Sequence, residues 1–333
     1  MAGWLSASAV PAERGPEPLT AAQVAAWRTA GVVVLEPVGL LPLALCERLR
    51  ADAERVFDDP DAAPPEPLAF PSPASTAANE TTLHARLTAA AAQLLGVGQP
   101  SQLRLTQSHV WQKVGDPGDV DADQRVHMDY PNNSLLCPAP LSHGGGAGEA
   151  VALHIYLSDI DDEGGPTHFV PAAGPDDPAY TMEAMMLMPG VRDHPRIQSR
   201  AAAEEYFRGA DPAAAALRQA LYEREQAVRF RLGTVALYQL GVWHRGTPVL
   251  PGRRRIVQTI VFRSAAAEWV QCRAGGAFPR PLMADSSAAL DGLIAGADDV
   301  ARAVLGFPPE GAGAWEGEGG GARRAATAMR FRL

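Results

Sequence analysis

From residue 102 onward the hydrophobic period shortens from helical to strand-like, and this change limits the possible folds more than any other feature. Leu103, Leu105, Gln107, His109, Trp111 and Lys113 alternate with Arg104, Thr106, Ser108, Val110 and Gln112, so the two sets fall on opposite faces of one strand. Further strand-like runs follow at Val126–Tyr130, Ala150–Leu157, Thr167–Val170, Val228–Leu232, Thr234–Tyr238 and Arg254–Arg263. Turn-rich acidic segments separate several of them, at Gly115–Asp123 and Ser158–Gly165. Between these strands, helical spacing occurs at Ala201–Phe207 and Pro212–Gln226, within an insertion around 175–226. Parallel strands need a crossover helix between each pair, whereas strands joined by turns and loops pair antiparallel. The expected architecture is mainly β with flanking helices, an antiparallel sandwich or jelly roll.

The N-terminal half supplies helices for the outside of that scaffold. Thr20 and Gln23 have capping-box spacing and open a helix to about Thr29, which Gly31 ends. Val32–Leu35 reads as a strand, and Leu41–Val56 as a helix with Leu41, Leu45, Leu49, Ala53 and Val56 on one stripe. Pro60–Pro73 holds six prolines and reads as a surface loop, and a further helix is expected from about Glu80 to Leu95. Residues 286–306 again have a helical pattern. The chain therefore divides into a flexible tail over 1–18, one domain over 19–308, and a Gly-rich tail over 309–333. Met182, Met185, Met186 and Met188, within the insertion, read as core packing ahead of the alternative of an adaptable lid.

Charge narrows the choice of partners. The chain carries a net charge of −9, and its basic clusters are short: Arg253–Arg255 and Arg323–Arg324. A nucleic-acid binder needs a basic surface, so a small-molecule substrate is expected instead. Cys46, Cys137 and Cys272 are far apart, which fits free thiols in a reducing compartment. There is neither a long apolar stretch nor a signal-peptide pattern, so the reading is a cytoplasmic protein without membrane partners. The pattern does not distinguish a monomer from a homodimer.

The residues with the most chemistry are His127-Met128-Asp129. On extended backbone, residues i and i+2 project from one side, so an imidazole and a carboxylate can reach one cation together. A divalent metal held this way needs a third ligand, and His244 offers one 115 residues beyond Asp129. Two histidines and a carboxylate on one side of a metal form the facial triad of non-haem Fe(II) oxygenases, which leaves three positions open. Two alternatives use the same residues: a non-catalytic metal- or ligand-binding jelly roll, and a zinc hydrolase. The hydrolase ranks last because no general base is evident. His109, His154, His168 and His194 lack metal-ligand spacing and read as core or surface residues.

Several segments carry a family resemblance, in order along residues 19–263. They are Leu19–Trp27 with Gly31–Val34, Gln107–Lys113, Tyr156–Asp159 with Gly164–Pro166 and Val170–Pro171, and His244–Pro248 with Arg255 eleven residues after the histidine. Together they resemble the phytanoyl-CoA dioxygenase-like Fe(II)/2-oxoglutarate-dependent oxygenases, and with that resemblance the expected fold becomes a double-stranded β-helix, the cupin-like jelly roll. The resemblance implies Fe(II) at His127, Asp129 and His244, with 2-oxoglutarate and O2 as co-substrates. It implies a dioxygenase that hydroxylates or otherwise oxidises a small metabolite and releases succinate and CO2. Arg255 would hold the distal carboxylate of 2-oxoglutarate, a task that suits a planar guanidinium. Gln107, Lys113 and Thr247 are further candidates for co-substrate contacts, and Trp111, Tyr130, Asn132 and Trp243 for substrate contacts. Arg254, on the opposite strand face from Arg253 and Arg255, is expected to be solvated. The chain departs from the family in having Pro171-Ala172-Ala173-Gly174 after its middle strands and Gly246 two residues after the distal histidine. Asp129 itself speaks against halogenation, for which relatives replace the carboxylate with a small residue.

Overall fold

The computed structural model describes residues 3–9, 17–37, 39–59, 68–129, 150–174, 176–191, 194–266, 292–293 and 295–305. Ten strands and nine helices are named among them, and the strands form two sheets. The first half gives β1 (Gly3–Leu5), α1 (Ala21–Ala30), β2 (Val32–Leu35), α2 (Leu43–Phe57), β3 (Leu68–Ala69), α3 (Thr76–Thr82), α4 (Ala85–Leu95) and β4 (Leu103–Val114). The second half gives β5 (Ala150–Tyr156), α5 (Ile160–Glu163), β6 (Thr167–Val170), α6 (Met182–Met185), α7 (Arg200–Ala210), α8 (Pro212–Arg224), β7 (Gln226–Val228), β8 (Val235–Tyr238), β9 (Trp243–Gly246), β10 (Arg254–Ser264) and α9 (Asp299–Val304). The larger sheet has the order β2-β8-β5-β10-β4-β3 and the smaller β1-β7-β6-β9. All pairings are antiparallel except β1 with β7. The sheets stay open and face each other, as in a jelly roll. Among the described residues no helix is long and apolar enough to cross a membrane.

The large sheet is buried on both faces, and the alternation of its strands separates two cores. Val151, Leu153 and Ile155 of β5, Val235 and Leu237 of β8, and Ile256, Ile260 and Phe262 of β10 pack outward with Trp27, Leu49, Leu87, Ala91 and Leu94 of the helices. Ala152, Tyr156, Ala236, Tyr238, Val257 and Val261 point the other way, toward Phe169 and Val228 of the small sheet. This accounts for the nearly continuous apolar sequence of β5, since a strand covered on both sides has no face to leave polar.

The opening elements follow the sequence closely. The Thr20 N–H donates to Gln23 Oε1 at 2.8 Å, and the Gln23 N–H donates to Thr20 Oγ1 at 3.2 Å, completing the capping box of α1. Gly31 ends the helix at φ 80°, and a Cβ there would lie 2.9 Å from Val242 Cγ2. Met185 and Met188 are buried in the inter-sheet core.

Five expectations need correction. The single helix over 80–95 is two helices, because Gln258 Nε2 donates to the Ala78 carbonyl at 3.1 Å and the Thr81 and Thr82 hydroxyls bond back to Ala77 and Ala78. Residues 126–129 form no regular strand; His127 sits in an isolated bridge to His244. The strand expected at Val228–Leu232 lies at Gln226–Val228, and the chain then turns at Arg231–Thr234, where the Arg231 N–H bonds Thr234 Oγ1 at 2.9 Å. Gly3–Leu5, expected within a loose tail, pairs with β7. Finally, Leu103 and Leu105 do not share a face with Gln107–Lys113. Opposite β10 the register steps from Leu105↔Phe262 to Gln107↔Val261, so Thr106 is an extra residue. Such a bulge turns the rest of the strand over. It points Leu103 toward the outer core while Gln107, His109, Trp111 and Lys113 line the space between the sheets.

Candidate metal centre

His127 and His244 meet at the edge of the small sheet. Each donates its backbone N–H to the other's carbonyl, at 2.9 and 2.8 Å, and their rings stand 4.5 Å apart between centroids. His127 Nδ1 lies 3.1 Å from the Arg125 carbonyl and His244 Nδ1 lies 2.9 Å from that of Val242. A carbonyl only accepts, so in both rings Nδ1 carries the proton and Nε2 presents its lone pair. The Asp129 N–H bonds the Leu240 carbonyl at 3.1 Å, which brings its carboxylate Oδ1 to 3.5 Å from His244 Nε2. One ligand atom from each of the three residues lies within 4.8 Å of the other two. Among the described residues this is the only group of three or more His, Cys, Asp or Glu side chains so placed.

The electrostatics suit a cation. Burial, then His244 and Arg125, hold the His127 imidazole well below its ordinary value, so it is neutral and ready to donate. Burial also pulls the His244 imidazole down, but the Asp129 carboxylate overcomes this and holds it above its ordinary value. Burial opposes ionisation of Asp129, yet His244 and His127 keep its carboxyl below the usual carboxylate range.

The insertion helices hold the ligand loop in place. The Val126 N–H donates to the Tyr222 hydroxyl at 3.1 Å, and its carbonyl accepts from Arg218 Nη1 at 3.3 Å. Both backbone groups of the residue before His127 are therefore satisfied by side chains of α8 and not by a strand partner. Arg218 is fully buried; its Nε donates to Glu204 Oε1 of α7 at 2.8 Å, as does the Tyr222 hydroxyl at 2.9 Å. A second buried cluster ties β9 down behind His244. Arg245 donates through Nε and Nη2 to Glu225 at 2.7 and 2.8 Å and through Nη1 to Asp123, and His168 Nδ1 lies 2.9 Å from Glu225 Oε1. Burial pushes the Glu225 carboxyl up, but Arg245 and His168 bring it down to about 2.

Arg255 stands on the inner face of β10, opposite Lys113 of β4. It is 3% exposed, bonds the Gly165 carbonyl through Nη1, and leaves Nε without a partner. Among the described residues it forms no ion pair. Burial lowers its pKa, which measures the cost of keeping an uncompensated charge there. Lys113 Nζ donates to the carbonyls of Thr247, at 3.0 Å, and Ala122; burial, then Arg255, pull it down to about 8. The Thr247 hydroxyl donates to the Pro166 carbonyl at 2.7 Å. These three residues form one polar corner of the inter-sheet space. Arg254, on the other face, pairs with Asp58 at 2.5 Å at the surface.

The remaining candidates divide. Gln107 Nε2 lies 3.2 Å from His109 Nδ1 on the inner face, and burial pulls the His109 imidazole down to about 4. Trp111 faces inward and donates from Nε1 to Thr259 Oγ1 at 3.0 Å. Trp243 does not face the site. It lies beside His244 on a strand, so it points the other way, is fully buried, and donates from Nε1 to the Ala179 carbonyl at 2.6 Å. Tyr130 and Asn132 lie outside the described residues. The sequence reading missed Tyr238, whose hydroxyl donates to Asp129 Oδ2 at 3.0 Å, and the α8 pair Arg218 and Tyr222. A signal for the pair was present: Ala214, Arg218, Leu221 and Tyr222 share the buried stripe of one helix, where an arginine is out of place unless paired.

Solved structures of similar fold exist. The chain resembles the non-heme alpha ketoglutarate dependent carbocyclase SnoK from nogalamycin biosynthesis, with TM-score 0.52 and 17% identity over 80% of this chain and 92% of that one. It resembles EctD from S. alaskensis with bound Fe, with TM-score 0.51 and 19% identity over 82% of this chain and 86% of that one. It also resembles the epimerase SnoN in complex with Fe3+, alpha ketoglutarate and nogalamycin RO, with TM-score 0.50 and 19% identity over 79% and 88%. No family model matches the chain, and none of the curated proteins searched matches it. The likeness is one of fold.

Proposed function

We propose that this protein is an Fe(II)- and 2-oxoglutarate-dependent oxygenase of the phytanoyl-CoA dioxygenase type, which hydroxylates or otherwise oxidises a small molecule. The observation that carries the reading is a pairing of two features in one inter-sheet space. His127, Asp129 and His244 present two imidazole lone pairs and a carboxylate to one point, and Arg255 holds a buried positive charge that no described carboxylate balances. The first suits a borderline divalent ion such as Fe(II); the second suits an anionic co-substrate. SnoK, which is alpha ketoglutarate dependent, SnoN, which is solved with Fe3+ and alpha ketoglutarate, and EctD, which is solved with bound Fe, support the same reading.

Iron bound with 2-oxoglutarate and O2 would supply the oxidising power, with succinate and CO2 as co-products. The protein's own residues do the rest. His127 and His244 keep Nε2 free because Arg125 and Val242 hold their Nδ1 protons. Arg255 receives the distal carboxylate, and its charge is then compensated without moving. Lys113 and Thr247, already tied to backbone carbonyls, shape the wall beside it. The rings of Phe169 and Tyr238 pack 5.7 and 5.2 Å from that of His244 and exclude water from its far side.

The test is co-substrate turnover. With Fe(II), 2-oxoglutarate and O2, the protein should release succinate slowly even without its substrate, and Asp129→Ala should not. Tight metal binding without succinate formation under any condition would favour a non-catalytic binding protein.

A further inference from the structure

Asp129 has two carboxylate oxygens, and the fold assigns them different partners. Oδ1 faces His244 Nε2 at 3.5 Å, while Oδ2 accepts from the Tyr238 hydroxyl at 3.0 Å. Tyr238 ends the inner face of β8 and is 1% exposed, so its phenol has no access to bulk water. Its oxygen also lies 3.1 Å from Nε2 of His154, on the adjacent strand β5. A phenol has one proton and a carboxylate can only accept, so that proton goes to Oδ2 and His154 donates Nε2–H to the phenol oxygen. His154 Nδ1, buried and unpartnered, is then an unpaired acceptor, a cheaper state than a buried unpaired N–H. The direction of the chain His154→Tyr238→Asp129 is thus fixed by the atoms at its end.

Resting on the metal site proposed above, we propose that Tyr238, backed by His154, is a positioning residue that limits Asp129 to one metal–oxygen bond. A carboxylate free at both oxygens can take two of the positions around a metal. Two histidines and a one-oxygen carboxylate leave three positions open; a two-oxygen carboxylate leaves two. The chemistry proposed here needs all three, because 2-oxoglutarate takes two and O2 the last. Neither Tyr238 nor His154 would touch the metal. Their effect passes through Oδ2, and groups that orient a ligand in this way commonly change metal affinity by about 10- to 100-fold when removed.

Mn(II) is the probe, because it binds sites of this kind and its bound waters can be counted by water-proton relaxation. The full chain, Tyr238→Phe and His154→Phe are titrated with Mn(II), following free ion by EPR and the relaxation rate per bound ion at saturation. Tyr238→Phe should bind Mn(II) about 10- to 100-fold more weakly. Its relaxation per bound ion should fall by about a third as Oδ2 displaces one of three waters. His154→Phe, which keeps the phenol, should move both readouts the same way by less, and it serves if Tyr238→Phe does not fold. A purely structural role would weaken binding without changing the water count. The proposal is overturned if saturated Tyr238→Phe, or His154→Phe in its place, relaxes water as the wild type does. If the wild-type chain binds no Mn(II), Fe(II) or Co(II), the metal site itself is wrong.

Discussion

Replacing Arg255 with methionine should make the protein more stable and less able to bind 2-oxoglutarate. The guanidinium is 3% exposed, bonds one carbonyl, and has no carboxylate partner among the described residues. Replacing a whole buried ion pair by apolar groups of similar volume is often neutral or stabilising by about 1–4 kcal/mol, and removing Arg255 leaves no described partner charge uncompensated. Loss of the bond to Gly165 leaves a buried carbonyl with one donor fewer, at about 1 kcal/mol. The net expectation is a gain of about 0–3 kcal/mol, which at its upper end raises Tm by several degrees in a chain of this size. The wild-type protein with metal should in turn gain about 2.7 kcal/mol from 2-oxoglutarate at a hundred times its Kd, and Arg255→Met should gain almost nothing. Thermal melts with and without the co-substrate read both effects. If Arg255→Met melts well below wild type and still responds to 2-oxoglutarate, Arg255 is a structural residue and the anion site lies elsewhere.

Other substitutions separate site from scaffold. Trp243→Phe removes the bond to Ala179 and leaves a small void, so it should cost about 1–3 kcal/mol in chemical denaturation while leaving metal affinity unchanged. Tyr222→Phe leaves the Val126 N–H and Glu204 each short of a partner. It should lower stability by about 1–3 kcal/mol and weaken metal binding as well, since His127 follows Val126; an unaltered titration would show that the ligand loop holds itself. Metal affinity should also depend on pH through His244, whose imidazole is held above 6.5 in the metal-free protein. Below that raised pKa the metal must displace a proton, and affinity should fall about tenfold per pH unit. Above it the dependence should level off, and calorimetric titrations across the range would show the break.

How legible these features were depends on whether their causes are local. The capping box at Thr20 and Gln23, the stop at Gly31 and the strand Val32–Leu35 each follow from adjacent residues, and each forms where the sequence puts it. The break between α3 and α4 does not, because the bond that draws Ala78 away comes from Gln258, 180 residues on. The Thr106 bulge exists only relative to β10, so simple alternation placed Leu103 and Leu105 on the wrong side. The site shows the same division. His127 and Asp129 are legible because spacing within one segment brings them together, and His244 could be matched to them by chemistry. Their supports could not be, because Arg218, Tyr222, Tyr238 and His154 lie between 25 and 109 residues from the ligands they steady. Trp243 shows the converse error: proximity in sequence to a ligand suggested a contact that strand alternation forbids.

The central claim is that His127, Asp129, His244 and Arg255 together hold iron and 2-oxoglutarate. Its most direct test is anaerobic addition of Fe(II) and then 2-oxoglutarate to the metal-free protein, watching the visible spectrum. Fe(II) alone should give no visible band, and 2-oxoglutarate should bring up the weak metal-to-ligand charge-transfer absorption of its iron chelate. Iron binding with no such band at saturating 2-oxoglutarate would contradict the claim.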